Sequence, residues 1–592
     1  MKSDFENTSD IEKSIGRYNI LTTFLTVSAI LIGILTVLLT IQLDSRWFLL
    51  GLLPCIIAIM MITAFSNKRK KLRNLLQIRN DWGKDIFIKN RDLKTIRPFF
   101  DKMSSLNPNE NAVDEQTWKD LNMDELYTRI DRSYTDPGEA VLYRMLREPL
   151  FNREELAGRG QVIRFFQNNR ETREKIQMVL IGLGHQFVHN DIVNLLWRET
   201  NPITAMKWFY YFMAITAFIS ILPPLIFWSL PLVFIPVAMF FINLIIHYRF
   251  KRINEVETTS FPYLIRSIQA AKEISAVTDG EIEPYVNNLR EEVKAAGGIL
   301  KKVRFLFPVR SSPSDTGLLF EYVNIFFLFE VRDFYDITEE INRHINDLRQ
   351  MYMTLGELDA LISVASYRTS LPVYAEPEFA GDGIHLEVKD AKQPLLNNPV
   401  PFSVTIDKNI VLITGSNMGG KSTFLRTIGN NVLLAQTIAT TVAAHYDAAL
   451  FRIVTSISRT DDLVAGKSFY YVEAERILNT INSFSVKIPT LCIIDEMLSG
   501  TNSVERLHAS KAIIQYLGKQ NSLTIIATHD LELAGRLNGT CDFYHFTSSV
   551  DENGLKFDYL LKPGIATTRN AIELLKYLGY PKEITENAQQ EE

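Results

Sequence analysis

Long stretches of this chain carry no charge, and that constrains its fold more than any other feature. No Asp, Glu, Lys or Arg occurs from Tyr18 to Leu43, from Trp47 to Asn67, or from Trp208 to Tyr248. A helix of about 20 apolar residues crosses a bilayer. The first two runs are therefore each long enough for one crossing, and the third for two. Only Asp44, Ser45 and Arg46 separate the first pair, which forces an antiparallel hairpin. Pro223, Pro224 and Pro231 interrupt the third run near its middle, where a hairpin turns and helices tolerate proline poorly. Lys68, Arg69, Lys70, Lys71 and Arg73 follow the first hairpin; Lys207 precedes the second, and Arg249, Lys251 and Arg252 follow it. Basic clusters of this kind stay on the cytoplasmic side, and Trp208 and Trp228 fit interfacial positions. The pattern predicts four transmembrane helices with every soluble part cytosolic. A cleaved secretory signal fits less well, because the N-terminal segment is partly acidic and no small-residue cleavage site follows. Buried core helices of a soluble domain would show a polar face, and none is evident.

The remaining sequence reads as soluble domains. At 592 residues two to four domains are expected. A formal net charge of −5 argues against a surface coated with basic residues for constant nucleic-acid binding. Cys55, Cys492 and Cys541 show neither pairing nor metal spacing and suit a reducing cytosol. The expected organisation is a cytosolic N-terminus (1–17), a first transmembrane hairpin (18–67), a linker (68–115) and a first helical part (116–207). A second hairpin (208–248), a second helical part (249–371) and an α/β domain (372–592) follow. Leu121 to Leu150 has apolar residues at helical spacing. Asp333 to Ala365 has them every three or four residues with few breakers, which predicts one long amphipathic helix. After Pro372 strand-like runs (Ile384 to Val388, Asn409 to Thr414, Thr490 to Ile494, Thr524 to Ala527) alternate with helical ones, the mark of a nucleotide-binding α/β fold.

Chemistry concentrates in that last domain. The strand NIVLIT runs directly into GSNMGGKS, residues Gly415, Ser416, Asn417, Met418, Gly419, Gly420, Lys421 and Ser422. A helix opens at Thr423. Strand, glycine-rich loop and helix in this order let backbone N–H groups close around phosphate oxygens, with the helix dipole assisting. Lys421 is placed to pair with β- and γ-phosphates and Ser422 to hold Mg2+. The apolar strand LCIIDE delivers Asp495 and Glu496: Asp495 as a second metal-holding group, Glu496 to orient or polarise the attacking water. One strand further on, in SLTIIATHD, His529 is placed to sense the γ-phosphate; the bland alternative is a structural histidine. ATP and Mg2+ are the expected ligands.

GSNMGGKST, DDLVAGKSFYYVEAERI, LCIIDEMLSGTNS and IATHDLEL occur in the order and approximate spacing of the ATPase domain of the MutS family, which this segment resembles. GELDALISVA and GDGIHLEVKDAKQPLL upstream, and DYLLKPGIATTRNAIELLKYLGYPKEI downstream, are also similar. LYTRIDRSYTDPGEAVLYRMLREPL looks like the start of that family's helical core. The resemblance implies a P-loop ATPase of the ABC-type/MutS fold, C-terminal to an all-α core and lever region, that works as a homodimer. It implies that Ser468 completes the partner's site in trans, though the same serine also suits an ordinary N-cap. It implies that Asn417 helps position the water. Lys467 and Phe469 depart from the usual arginine and threonine, which bears on turnover more than on binding.

Other family features are missing. Mismatch-repair members read a distorted base pair with a phenylalanine and a glutamate two residues later, and no Phe-x-Glu occurs here. The first hairpin occupies the region of that reading domain, and no nuclease-like extension is expected after the ATPase tail. Lys301, Lys302, Arg304 and Arg310, interleaved with Phe305 and Phe307, offer a possible electrostatic contact to DNA. A solvated helix end is the better explanation of them. DNA as a partner therefore rests on the resemblance alone. The expectation is a multi-pass protein of the bacterial inner membrane whose ATPase domain is cytosolic and coupled to DNA. A membrane-remodelling or transport machine without nucleic acid, and mismatch repair proper, are the alternatives.

Overall fold

The computed structural model describes residues 8–42, 48–85, 92–186, 191–197, 207–227, 229–302, 316–379, 383–415, 419–457, 469–482, 484, 487–498, 500–537, 539–551, 554–566, 575 and 577–581. The first helices are α1 (Thr8–Gln42), α2 (Phe48–Asp81), α3 (Leu93–Leu106), α4 (Glu115–Asp120), α5 (Met123–Ile130), α6 (Asp136–Arg147), α7 (Arg153–Asn168) and α8 (Arg170–Leu183). Next come α9 (Asp191–Trp197), α10 (Lys207–Ser220), α11 (Leu222–Phe227), α12 (Phe234–Ile253), α13 (Glu255–Ile274), α14 (Glu283–Lys302), α15 (Thr316–Phe327), α16 (Phe329–Arg343) and α17 (Ile345–Ser370). The C-terminal part holds β1 (Leu386–Ala391), β2 (Phe402–Ile406), β3 (Ile410–Thr414), α18 (Lys421–Ile438), β4 (His445–Ala448), β5 (Arg452–Ser456), α19 (Phe469–Asn482) and β6 (Thr490–Asp495). It ends with α20 (Ser503–Leu517), β7 (Ser522–Ala527), α21 (Leu531–Arg536), β8 (Asp542–His545), β9 (Ser548–Asp551), β10 (Gly554–Phe557) and β11 (Lys562–Pro563). The chain forms two compact units, one of residues 1–84, 133–138 and 166–362, the other of 85–132, 139–165 and 363–592.

The first unit is helical. α1 and α2 run antiparallel: the Tyr18 and Phe65 rings are 5.7 Å apart, and Arg69 donates to Asn19 Oδ1 at 2.5 Å. Large apolar side chains stand outward, among them Phe24 on α1 (68% exposed), Trp208 on α10 (78%) and Phe234 on α12 (75%). Water disfavours such a surface, whereas hydrocarbon accepts it. Threonine hydroxyls on these helices turn back to their own backbone: Thr22 donates to Tyr18 O (2.9 Å), Thr26 to Thr22 O (2.7 Å) and Thr216 to Phe212 O (2.8 Å). Their polar groups are thus satisfied within the helix.

Among the described residues three helical segments are long and apolar enough to cross a membrane: Thr8–Thr36, Lys207–Phe227 and Pro231–Ile253. The expected count of four is corrected to three. α2 does not end with its apolar run but continues as one helix, Pro54 included, through the Lys68–Lys71 cluster to Asp81. From Pro54 onward its apolar turns are soon followed by basic ones. Beyond that cluster α2 is tied to α8, where Arg79 forks onto Glu174 with two 2.9 Å bonds and the Arg173 guanidinium lies 3.6 Å from the Trp82 ring centre. A further apolar helix, α15, lies against α10 and α12, and Asn243 of α12 donates to Phe326 O at 2.6 Å.

Two expected continuous helices are broken. Asp333–Ala365 divides between α16 and α17 at His344 (φ −116, ψ 26), whose N–H is shared by Glu340 O and Ile341 O at 3.2 and 3.1 Å. Its ring faces Asp347 Oδ2 at 3.3 Å, a local alternative to another helical turn. The Leu121–Leu150 segment is interrupted between α5 and α6. There the buried Asp359 carboxylate accepts from Tyr134 N (3.0 Å), Thr135 N (2.9 Å) and Thr135 Oγ1 (2.7 Å). Those donors are better satisfied by the carboxylate than by water.

In the second unit a six-stranded sheet has the order β11-β8-β3-β7-β6-β5. β5, β6, β7, β3 and β8 are parallel, and β11 is antiparallel at the edge. An antiparallel sheet, β2-β1-β4, and the β9–β10 hairpin complete it. Cys492 and Ile494 of β6 join a core with Leu507, Ile514 and Leu533 from α20 and α21. The intervening Ile493 faces α18, with its Cδ1 3.2 Å from where a Cβ on Gly429 would stand. Strand alternation thus sandwiches the sheet between helices. Burial pushes the Cys492 thiol up to about 12, which keeps it inert.

Asp359→Ala strands three donors, two of them main-chain, and should cost about 3 kcal/mol or more, read as a lowered urea midpoint. Asp359→Asn, which keeps one acceptor oxygen, should lose less.

Candidate active site

Parallel strands open their carboxyl ends on one edge of the sheet, and the candidate residues emerge there. Ile413 of β3 pairs with Ala527 of β7, and Ala527 pairs with Asp495 of β6. The chain leaving each of these three strands therefore starts from the same level. The ladder continues one step past them: Thr528 N donates to Ile413 O and Glu496 N to Ala527 O, both at 2.9 Å. The loop after β3, the acidic pair after β6 and His529 after β7 are fixed side by side by backbone pairing before any side chain contributes.

The loop turns on glycine. Gly415 has φ +129, and a Cβ there would stand 2.6 Å from Phe546 O. Gly420 has φ +108 and caps α18. Lys421, 1% exposed, bends its ammonium back to Gly415 O at 2.6 Å. Ser422 Oγ donates to Asp495 Oδ2, so the first turn of α18 touches the end of β6 directly. A hydroxyl and a carboxylate side by side, with an ammonium in the preceding residue, form an oxygen donor set that suits Mg2+ beside a polyphosphate.

Glu496 adopts the left-handed conformation (φ 55) and is followed by a second such residue, Leu498 (φ 54). Non-glycine residues seldom hold this conformation, and strain of this kind gathers at functional sites. The turn directs the nearly buried Glu496 carboxylate to His529, whose Nδ1 lies 2.8 Å from Oε1. His529 itself is half exposed. Asp530 next to it caps α21, accepting from Glu532 N and Leu533 N, and is held by Arg506 at 3.3 Å.

The structure thus brings Lys421, Ser422 and Asp495 together, and separately Glu496 and His529. Gly419, Gly420 and Thr423 lie at the start of α18 as expected. Ser416, Asn417, Met418 and Ser468 lie outside the described residues. Two residues not singled out in the sequence also shape the loop. Phe546 closes over Gly415 and Gly420, and Tyr559 lies 3.4 Å from a Cβ position on Gly420. Phe546 follows β8 and Tyr559 follows β10, far along the chain, and no local pattern marks them.

Residues 411–592 match the family model of MutS domain V. "DNA mismatch repair protein MutS" of Thermus thermophilus is 28% identical over 309 residues, 52% of this chain and 37% of that protein. The protein of the same name from Carboxydothermus hydrogenoformans is 32% identical, over 43% of this chain and 31% of its own length. "DNA mismatch repair protein MutS 2" of Halobacterium salinarum is 27% identical over 43% and 30% respectively. The chain therefore spans little more than a third of the length of the curated relatives it matches.

Gly415→Ala places a Cβ against a carbonyl in a conformation costing about 1–3 kcal/mol for any other residue. A lowered thermal midpoint together with weakened nucleotide binding, followed by calorimetry, is the expected result.

Proposed function

We propose that this chain, a member of the MutS family through the domain at its C-terminal end, is a membrane-anchored ATPase that hydrolyses ATP at composite dimer sites. The observation that carries the reading is the direct contact of Ser422 with Asp495 beside Lys421 at the strand edge of the sheet. Lys421 leaves Gly415 O to pair with the phosphates, and backbone N–H groups of the loop and of α18 hold the remaining oxygens. Mg2+ between Ser422 and Asp495 would neutralise charge on the transferred phosphoryl group. Glu496 orients the attacking water and accepts its proton, and His529 fixes the Glu496 carboxylate while facing the γ-phosphate. Asn417 assists the water, and Ser468 of one copy completes the site of the other. Exposed Tyr470, Tyr471 and Leu478 on α19 give that segment an apolar surface suited to a second copy.

Membrane anchoring is supported by the three candidate spans and their exposed apolar side chains. ATP binding closes two C-terminal domains, and hydrolysis reopens them. Coupling to DNA is suggested by the relatives' names. A machine that acts on the membrane without nucleic acid is favoured by two features, the unbroken passage of α2 from its apolar run to its contact with α8 and the net charge of −5. Mismatch repair proper is disfavoured, because this chain has no Phe-x-Glu reading pair.

Full-length protein in detergent or proteoliposomes should hydrolyse ATP. Lys421→Ala should abolish nucleotide binding. Glu496→Gln should bind ATP at near wild-type affinity while turnover falls about a hundredfold or more. Wild-type turnover by Glu496→Gln would refute the assignment. Stimulation by homoduplex, mismatched or branched DNA that weakens steeply with salt supports the DNA reading; stimulation by lipid alone supports the other. Release of the protein from membranes by carbonate without detergent would refute anchoring.

A further inference from the structure

We infer that Asp120 is a positioning residue for ATP hydrolysis, joining the phosphate-binding helix to the exit of strand β5. The inference rests on the nucleotide-site reading above. Asp120 ends the short helix α4 and is fully buried. Its Oδ2 accepts from Thr455 Oγ1 and from Ile457 N, both at 2.8 Å, and its Oδ1 accepts from Gln116 Nε2 at 2.7 Å. Thr455 N in turn donates to Thr117 Oγ1 at 3.2 Å. α4 therefore holds the last residues of β5 through side chains, on the edge strand of the sheet.

The same residue reaches the other part of the site through its backbone. Arg426 Nε donates to Asp120 O at 2.8 Å. Arg426 lies four residues after Ser422, one helical turn along the same side of α18. The next residue, Leu121, packs so closely on α18 that a Cβ on Gly429 would stand 2.5 Å from Leu121 Cδ2. The junction of α4 and α5 is thereby wedged against the helix that carries Lys421 and Ser422.

These two attachments fix a distance that matters for chemistry. β5 pairs in parallel with β6, with Ser456 level with Ile494, one residue short of Asp495. Along the sequence Ile457 leads on to Ser468 and α19. Asp120 holds the root of that segment and the phosphate-binding helix in one hydrogen-bonded unit, with a single carboxylate oxygen accepting both bonds at β5. A shift in either part reaches the other through a single buried residue. Misplacement of about 1 Å in a catalytic constellation costs up to a hundredfold in rate.

The test uses full-length protein in detergent, with ATP turnover, nucleotide affinity and thermal midpoint measured on the same samples. Asp120→Ala should lower kcat roughly tenfold or more while the Kd for ATP stays within about threefold, the split expected of a residue that orders the reacting state. Asp120→Asn keeps an acceptor for Ile457 N and Thr455 Oγ1 and should restore most of the rate. Should Asp120→Ala fail to fold, Thr455→Val and Arg426→Met, each removing one attachment, should show the same split to a smaller degree. Wild-type kcat in Asp120→Ala, or in both Thr455→Val and Arg426→Met, overturns the inference. So does a fall in kcat matched by an equal loss of affinity and by no rescue in Asp120→Asn. Failure of the wild-type protein to bind ATP overturns the nucleotide-site reading and this inference with it, whereas intact wild-type turnover with an indifferent Asp120 removes this inference alone.

Discussion

The second unit is organised around one buried helix. Every residue of α18 is buried except Ser422, Thr423 and Arg426, and these stand on its first two turns. A helix enclosed on all sides must satisfy its polar residues internally. Here they are used to fasten the surroundings. Gln436 exchanges two bonds with the backbone of Phe451 (2.9 and 2.7 Å), and Asn431 accepts from Val442 N at 2.7 Å. At the far end buried Arg368 of α17 donates to Thr440 Oγ1 at 2.6 Å and to Ala439 O. Leu150 N donates to Gln436 O at 2.8 Å, and Arg159 reaches Thr437 O. A helix gripped along its whole length cannot shift alone, so whatever occupies its N-terminus is felt by every element that touches it.

The first unit is built on the opposite pattern. Its apolar helices leave aromatic and branched side chains outward and keep threonine hydroxyls on their own carbonyls. The polar side chains concentrate where these helices meet α16: Tyr211 donates to Asp336 at 2.8 Å, Lys207 pairs with Asp336 at 2.5 Å, and Arg332 stacks 4.5 Å from the Tyr211 ring centre.

The strand, the glycine turn and the helix start around Lys421 were legible because their determinants are local: an apolar strand, glycines at the turn, a lysine and a hydroxyl opening a helix. Four strands were legible for the same reason, since a run such as TLCIID is buried on both faces. Strands β2, β4, β5 and β8 to β11 were not, because at two to five residues these partly exposed segments carry no period strong enough to read. The break at His344 turns on a local ring contact with Asp347 that spacing does not reveal; the break between α5 and α6 escaped because its competing partner, Asp359, lies more than two hundred residues away. Asp120 is hidden for the same reason: on its own helix it is one carboxylate among several, and only the folded chain puts it beside Thr455 and Arg426. The count of spans erred where an apolar run and a basic cluster share one uninterrupted helix.

That uninterrupted helix has a geometric result of its own. At about 1.5 Å per residue the 34 residues of α2 extend roughly 50 Å. A rod of that length, packed on α1 along its apolar turns and held by Glu174 and Arg173 near its end, acts as a lever: a small tilt at one grip becomes a displacement at the other that grows with the distance between them.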